Sequence, residues 1–461
     1  MSVRLRVRSL RFVREAPAAI VVLLLASALP AVVQAQDVEE RFPGVSLGLT
    51  YETRVLPDIA IQPFTGRLGA EATAARAESI VGRNLRYSNR FQVMDELPDA
   101  LVREEVDYAL WDELGATWLL TGSVEGVGST RVLVLELHDV VYRELAREER
   151  FPLADPDTPE FRMSVHAASD AVVEWVSGEP GIAATRIVFS RRMEDGTQDL
   201  WVVDSDGENL RRLTNHQNIS LSPTWSPDGR RVAYVSYRTG LPRVYELELD
   251  TGIENAVPAP RTGDYITPAY HPDGETLAFA VVGGGRSGIF SYNLAQDCCF
   301  QTLTEGRWED ISPAFSPDGS RLAFNSNRLG VGAPQIYLMS YNGAGSAQVL
   351  SPYMYERPGY YTSPDWSPIG DRIAYHGRVE QRGRHQILVS ELDRRNRVVQ
   401  VTFDGSNEDP SWAPDGRHIV YVGSRSWGWG LFITDAVSGN TRTLVSGIRP
   451  NVPAWSPSLA P

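Results

Sequence analysis

The chain contains no lysine; all 44 of its basic side chains are arginine. That absence removes a phosphate-binding P-loop, a Schiff-base lysine and a Ser-Lys nucleophile in one step. Cysteine is almost as scarce. Cys298 and Cys299 are the whole complement, and neighbours in sequence cannot staple distant parts of a fold. They are too few for a thiolate metal site and read as two small hydrophobes in a strand. Histidine occurs only at 138, 166, 216, 271, 376, 385 and 418, and none of these falls in the channel-mouth loops identified below. His271 takes the place of serine in a turn phrase, where a surface turn accounts for it. No Gly-x-Ser-x-Gly nucleophile elbow is present, nor is there room for a hydrolase domain beside the elements described next.

Long apolar runs are also missing, with one exception. Arg4, Arg6, Arg8, Arg11 and Arg14 precede an apolar stretch from Ala18 to Val33, and Val33-Gln34-Ala35 offers small residues at cleavage spacing. The pattern predicts an export leader over 1–35, with an uncleaved anchor as the alternative. Without it the chain keeps 39 arginines against 57 carboxylates, a net charge of −18. Such a surface is a poor partner for nucleic acid, and no stable membrane insertion is expected after cleavage.

What the sequence has in abundance is a repeat. Pro223-Thr-Trp225-Ser-Pro-Asp-Gly229 returns at Pro268–Gly274, Pro313–Gly319, Pro364–Gly370 and Pro410–Gly416, and it ends at Pro453-Ala-Trp455-Ser-Pro457. The aromatic residue recurs at 225, 270, 315, 366, 412 and 455, a step of 43 to 51 residues that matches one four-stranded propeller blade. Proline presets φ, aspartate tolerates the next position and glycine takes the left-handed one, so Ser-Pro-Asp-Gly reads as a tight hairpin. Runs such as Val232–Val235, Leu277–Ala280 and Ile419–Val422 are apolar on both faces, as second strands sandwiched between blades should be. The array opens on a second strand at Thr185–Ser190 and closes on a first strand at Pro453–Trp455. Pairing of those two would shut the ring. The expected fold is therefore an α/β N-terminal domain (56–178) followed by an all-β six-bladed propeller (179–461) closed by its terminal strands, with residues 36–55 as an extended arm.

The first of these domains alternates strand and helix patterns: a strand at Ile59–Phe64, a helix over Ala70–Arg86, strands at Phe91–Met94, Thr117–Thr121 and Arg131–Leu137, and a last helix over Met163–Val176. The Ala60-Ile-Gln-Pro-Phe64 strand, the segment Leu114–Gly122, the first-blade phrase Asp204–Thr214 and a propeller closing on Pro-Ala-Trp-Ser-Pro together resemble the TolB family across most of the chain. The resemblance implies a periplasmic, non-enzymatic adaptor of the Tol-Pal system. Its propeller would bind the peptidoglycan-associated lipoprotein, its N-terminal arm would engage TolA, and the whole would support outer-membrane integrity and cell division. An arm of this kind can add a strand to a partner's sheet; a disordered terminus is the alternative.

Propellers bind ligands at the channel mouth, on the loops leading into each innermost strand. Here those residues are Ile219 and Ser220, Asp264 and Tyr265, Glu309 and Asp310, Tyr360 and Tyr361, Glu408 and Asp409, and Asn451. By the resemblance, Asp264, Thr267 and Ile311 occupy positions of the family's lipoprotein site, although their types differ from the family's His, Ala and Thr. Five carboxylates in this ring suggest an acidic, aromatic-lined socket for a basic or backbone-presenting peptide. No cofactor is expected, though a channel cation such as calcium suits the carboxylates. Two other function classes fit a six-bladed propeller: a periplasmic sensor for a small ligand or glycan, and a metal-dependent lyase, which would need clustered histidines. Trp427 and Trp429 are read as blade packing, with carbohydrate stacking as the alternative.

Overall fold

Short apolar runs alternating with turn residues give strands, and the structure, a computed structural model, assembles them into seven sheets. It describes residues 56–67, 69–95, 105–127, 130–330, 332–343, 346–352, 359–378, 383–393 and 397–459. The expected export leader and the arm over 36–55 lie outside the described residues.

In the α/β region the strand Asp58–Ile61, apolar and buried from Ile59 onward, takes an interior place in a mixed sheet. It pairs in parallel with Gln92–Met94 on one side and Trp118–Glu125 on the other. Trp118–Glu125 then starts an antiparallel meander through Val132–Asp139 to Glu144–Pro152. Three helices accompany it: α1 (Glu71–Tyr87), α2 (Tyr108–Glu113) and α3 (Pro159–Ser177). Ala74, Ala77, Val81 and Leu85 fall at helical spacing on α1 and are buried, packing with Ile59, Leu120 and the α3 residues Phe161, Val165 and Val172. α3 begins four residues before the expected helix. Pro159 sits in its first turn, where the missing N–H costs nothing, and Gly178 ends it at φ 68°.

Six four-stranded antiparallel blades follow. Blades 1 to 5 have first strands Ser220–Trp225, Asp264–Tyr270, Asp310–Phe315, Tyr360–Trp366 and Ser406–Trp412. Blade 6 is composite: Pro450–Trp455 pairs with Arg186–Arg192, which pairs with Gln198–Asp204. The turn phrase works as its residue types dictate. In blade 1 the Ser226 hydroxyl and the Arg230 N–H both donate to Asp228, and the Gly229 N–H donates to the Ser226 carbonyl at 2.9 Å with φ 70°. In blade 3, hydroxyl donation from Ser316 and Ser320 holds the Asp318 carboxyl down at about 2. Outer strands depart from expectation at one place. Cys298 and Cys299 are not two separate hydrophobes but form a disulfide between neighbours, where the ladder to Arg286–Asn293 slips and Cys299 adopts φ 67°.

The α/β region sits on the hairpin-turn face of blades 5 and 6. Arg417 donates to the Asn89 carbonyl at 3.2 Å, His418 meets the Asn89 amide at 3.0 Å, and Arg442 lies 4.0 Å over the Tyr87 ring while donating to the Ser205 carbonyl. Arg162 pairs with buried Asp206. Beside it, burial pushes His166 down to about 4, so that the ring stays neutral. Asp170 on α3 anchors the connection into blade 6 by accepting from the Ala183 and Ala184 N–H groups at 2.8 Å each. Glycine is required at 181, since a Cβ there would stand 2.0 Å from the Asp170 oxygen.

Burial raises the Asp170 carboxyl to about 7, against about 3.9 for a free aspartate. The folded chain therefore keeps a proton that the unfolded chain has lost. The stabilisation is complete below about pH 4 and is lost as pH rises through 7. Urea melts at pH 5 and pH 8 should show wild type losing on the order of 2 kcal/mol more over that interval than Asp170→Asn, which cannot ionise. Equal losses in the two proteins would remove Asp170 as the source.

Candidate functional site: the channel mouth

Each inner strand carries the same irregularity. The residue directly before its proline has a left-handed backbone: Ser222, Thr267, Ser312, Ser363, Asp409 and Val452, with φ between 44° and 54°. Pairing with the second strand slips there in all six blades. A bulge adds one residue and so reverses which face every upstream side chain occupies. These six residues line the central channel, a space of about 510 Å³, together with the prolines that follow them. The second residue before each proline (Leu221, Ile266, Ile311, Thr362, Glu408, Asn451) is partly exposed at the channel opening, and the third is buried in its blade.

This re-phasing corrects the mouth expected from sequence. Ile311, Glu408 and Asn451 stand at the opening, and Thr267 and Asp409 line the channel below it. Ile219, Asp264, Glu309 and Tyr360 lie one step further out, with Glu309 fully exposed and the others partly so. Ser220, Tyr265, Asp310 and Tyr361 do not face a ligand at all. The Tyr265 hydroxyl closes on the Arg261 backbone at 2.9 Å, and Tyr361 packs edge-on against Tyr375. Asp310 is wholly buried, accepting from Arg328 at 2.7 Å and from the Ser326 hydroxyl.

Charge at the opening is unevenly neutralised. Asp264 and Glu309 have no ion-pair or side-chain hydrogen-bond partner among the described residues. On blades 4 and 5 the structure gathers a cluster that sequence reasoning missed, overturning the expectation that no histidine reaches the mouth. His385 bonds Glu408 at 2.9 Å and stacks on Tyr360 at 5.4 Å, while His376 accepts from the Asp409 N–H at 3.0 Å. The hydrogen bond from His385 holds the Glu408 carboxyl below its usual range, and burial keeps His376 low. One signal was available. Antiparallel pairing sets His376, near the end of a second strand, opposite Thr362, near the start of a first. Among the described residues, the group able to converge on a metal ion is His166, Asp204 and Asp206, in the contact region of blade 6, where Arg162 and Arg186 already pair with the two carboxylates.

Residues 173–459 match the family model described as the TolB beta propeller domain, and residues 49–145 match the TolB amino-terminal domain. The chain belongs to the TolB family. Relatives named Tol-Pal system protein TolB include that of Albidiferax ferrireducens, 33% identical over 196 residues (42% of this chain and 44% of the relative). That of Anaeromyxobacter dehalogenans is 33% identical over 229 residues, covering 48% and 51%. The chain thus spans about half the length of these curated relatives. The crystal structure of TolB from Acinetobacter baumannii superposes with a TM-score of 0.74 at 25% identity, covering 88% of this chain and 97% of that one.

Within this TolB-family fold, Trp427 packs on Phe432 of its own blade with ring centroids 5.9 Å apart, in line with blade packing, yet Trp427 and Trp429 remain 53% and 38% exposed. They follow the second strand of blade 5, at the same end of the blade as the channel opening. Among the described residues no helix is long and apolar enough to cross a membrane.

The split between buried and exposed mouth carboxylates is measurable. Arg328→Ala leaves Asp310 buried with its charge unpaired and should cost about 3–5 kcal/mol in urea denaturation. Glu309→Ala, at an exposed and unpaired site, should stay within about 0.5 kcal/mol of wild type. Similar costs for both would place the two carboxylates in the same environment.

Proposed function

We propose that this chain is the periplasmic adaptor of a Tol-Pal system, binding the peptidoglycan-associated lipoprotein at the channel mouth of its propeller. The observation that carries this reading is the opening itself. Six partly exposed side chains surround a proline-walled channel, flanked by the Asp264 and Glu309 carboxylates, which have no partner among the described residues, and by a Tyr360–His385–Glu408 cluster. Unpaired carboxylates attract a basic or N–H-presenting segment, and a half-buried tyrosine held against a histidine is a typical anchor. The α/β region docks on the hairpin-turn ends of blades 5 and 6, so among the described residues it leaves the opposite face to a partner. Asp310 and Glu408 already have protein partners, which leaves the reading with no need of a channel cation.

In this reading the lipoprotein inserts a loop into the opening, the arm over 36–55 engages TolA, and the complex serves outer-membrane integrity and division. Calorimetric titration of the chain with the same organism's peptidoglycan-associated lipoprotein domain tests it. Wild type should bind, and Glu309→Arg and Glu408→Arg should each weaken binding by about tenfold or more, equivalent to about 1.4 kcal/mol. Binding that survives both reversals moves the site elsewhere, and no binding at high micromolar concentrations sinks the adaptor assignment.

A further inference from the structure

Among the described residues Trp427 and Trp429 are the two largest exposed apolar side chains of the propeller; Trp427 rests one side on Phe432 at 5.9 Å and leaves the other open. They line a cleft of about 870 Å³ between blades 5 and 6. Three segments form it: the hairpin carrying the tryptophans, the hairpin from Arg191 to Gly196 that joins the second and third strands of blade 6, and the Gly447–Arg449 connection leading into the last inner strand. The Arg192 N–H donates to the Arg449 carbonyl at 2.9 Å, tying two of the three together. Gly428 and Gly447 stand beside the indoles and add no side chain over them. The cleft lies near the channel opening in sequence, Arg449 standing two residues before Asn451 on the same strand approach.

Its charge runs against that of the chain. Arg191, Arg192 and Arg449 all line it, and none forms an ion pair among the described residues. Arg191 instead lies 4.6 Å over the Trp201 ring. Of the two carboxylates present, Asp195 is taken up by the Thr197 N–H and hydroxyl of its own turn, which leaves Glu194. Three guanidinium groups against two carboxylates, beside two part-exposed indoles, leave the cleft with a small positive excess on a protein of net charge −14. Arginine and tryptophan are the side chains most over-represented at binding hot spots, and a guanidinium recognises a carboxylate with two parallel hydrogen bonds.

We propose that this cleft is a second binding site, taking an acidic peptide segment that carries a large apolar side chain. The carboxylates pair with Arg192 and Arg449, and the apolar side chain covers the exposed indole of Trp427. The ligand chemistry stands on the cleft's own residues. That the segment belongs to the protein seated on the channel mouth rests on the functional reading above. In that setting the cleft fixes the partner's orientation: a basic or backbone-presenting tip enters the acidic opening, and an acidic flank lies toward blades 5 and 6.

The test uses the full chain and fluorescence anisotropy of a dye-labelled heptapeptide alternating Glu or Asp with Phe and Leu. Controls are the same peptide with every acid replaced by glutamine, and an N-acetylglucosamine tetramer as competitor. The acidic peptide should bind, with affinity falling as salt rises. The glutamine peptide should bind about tenfold more weakly or worse, and Arg192→Glu and Trp427→Ala should each cost about tenfold for the acidic peptide. Both residues are exposed, and Arg192→Gln gives a milder second variant. Asp250→Arg, on an exposed turn of blade 1 away from both the mouth and the cleft, should leave peptide affinity unchanged. Equal binding to wild type and Arg192→Glu, or no binding at millimolar peptide, overturns the proposal. Displacement of the peptide by the sugar tetramer, with tighter binding of the tetramer, replaces it with a glycan site. Failure of the lipoprotein domain to bind leaves the peptide result standing, so the two readings fail separately.

Discussion

One left-handed residue in front of each inner-strand proline decides what this propeller shows to a partner. Counting back from Trp225 with a period of two would bury Leu221 and expose Ser220; the bulge at Ser222 does the opposite. The same reversal repeats in every blade, so the ring at the opening is Leu221, Ile266, Ile311, Thr362, Glu408 and Asn451. The conformation has a cost. Positive φ is strained for any side chain with a Cβ, and most of all for the β-branched Thr267 and Val452. It persists although proline follows, because the second strand pairs on both sides of the slip and the aromatic two residues beyond proline is locked by burial. Trp225 and Trp455 illustrate the lock: one indole donates to the Ala454 carbonyl, the other to the Thr185 hydroxyl.

The two ends of blades 5 and 6 do different work. At their hairpin-turn ends, Arg417, His418, Asp206 and Arg442 hold the α/β region through charge-assisted and buried contacts. At the other ends lie the Glu408–His385 pair and the tryptophan cleft. The Arg417–Asp435 pair and His418–Asp415 are buried, so the hairpin-turn end of blade 5 cannot shift without repacking.

How much of this was legible follows from what sequence encodes locally. The blade count, the turn chemistry and the apolar second strands were readable because each rests on residue type at fixed spacing: Gly229 needs its left-handed φ, and Val232–Val235 needs two apolar faces. The bulge was not. Serine, threonine, aspartate and valine share no feature that announces positive φ, and the proline that follows argues for extended backbone instead. Ser220, Tyr265, Asp310 and Tyr361 were therefore placed on the wrong face. His376 and His385 were missed for another reason: proximity to Glu408 comes from antiparallel pairing across a strand and a neighbouring blade, not from sequence distance. The cysteine pair and the contact of the α/β region with blades 5 and 6 are likewise tertiary, and no local signal marks Asn89 as a partner of His418.

Net charge is a poor guide to what such a surface binds. At physiological ionic strength a charge is screened over about 8 Å, so a docking segment feels the side chains beneath it rather than the sum over the protein. On the mouth face that local charge is uneven: Asp264 and Glu309 add negative charge at blades 2 and 3, while Arg191, Arg192 and Arg449 outnumber Glu194 and Asp195 at the junction of blades 5 and 6. The buried charges do not alter this, because Asp310 is neutralised by Arg328 and Asp206 by Arg162. A ring with near six-fold backbone symmetry offers a round partner six nearly equivalent rotations. Unequal charge around the rim removes that degeneracy, since each wrong rotation sets like charges together. The symmetry of the fold supplies the socket, and the asymmetry of its side chains supplies the orientation.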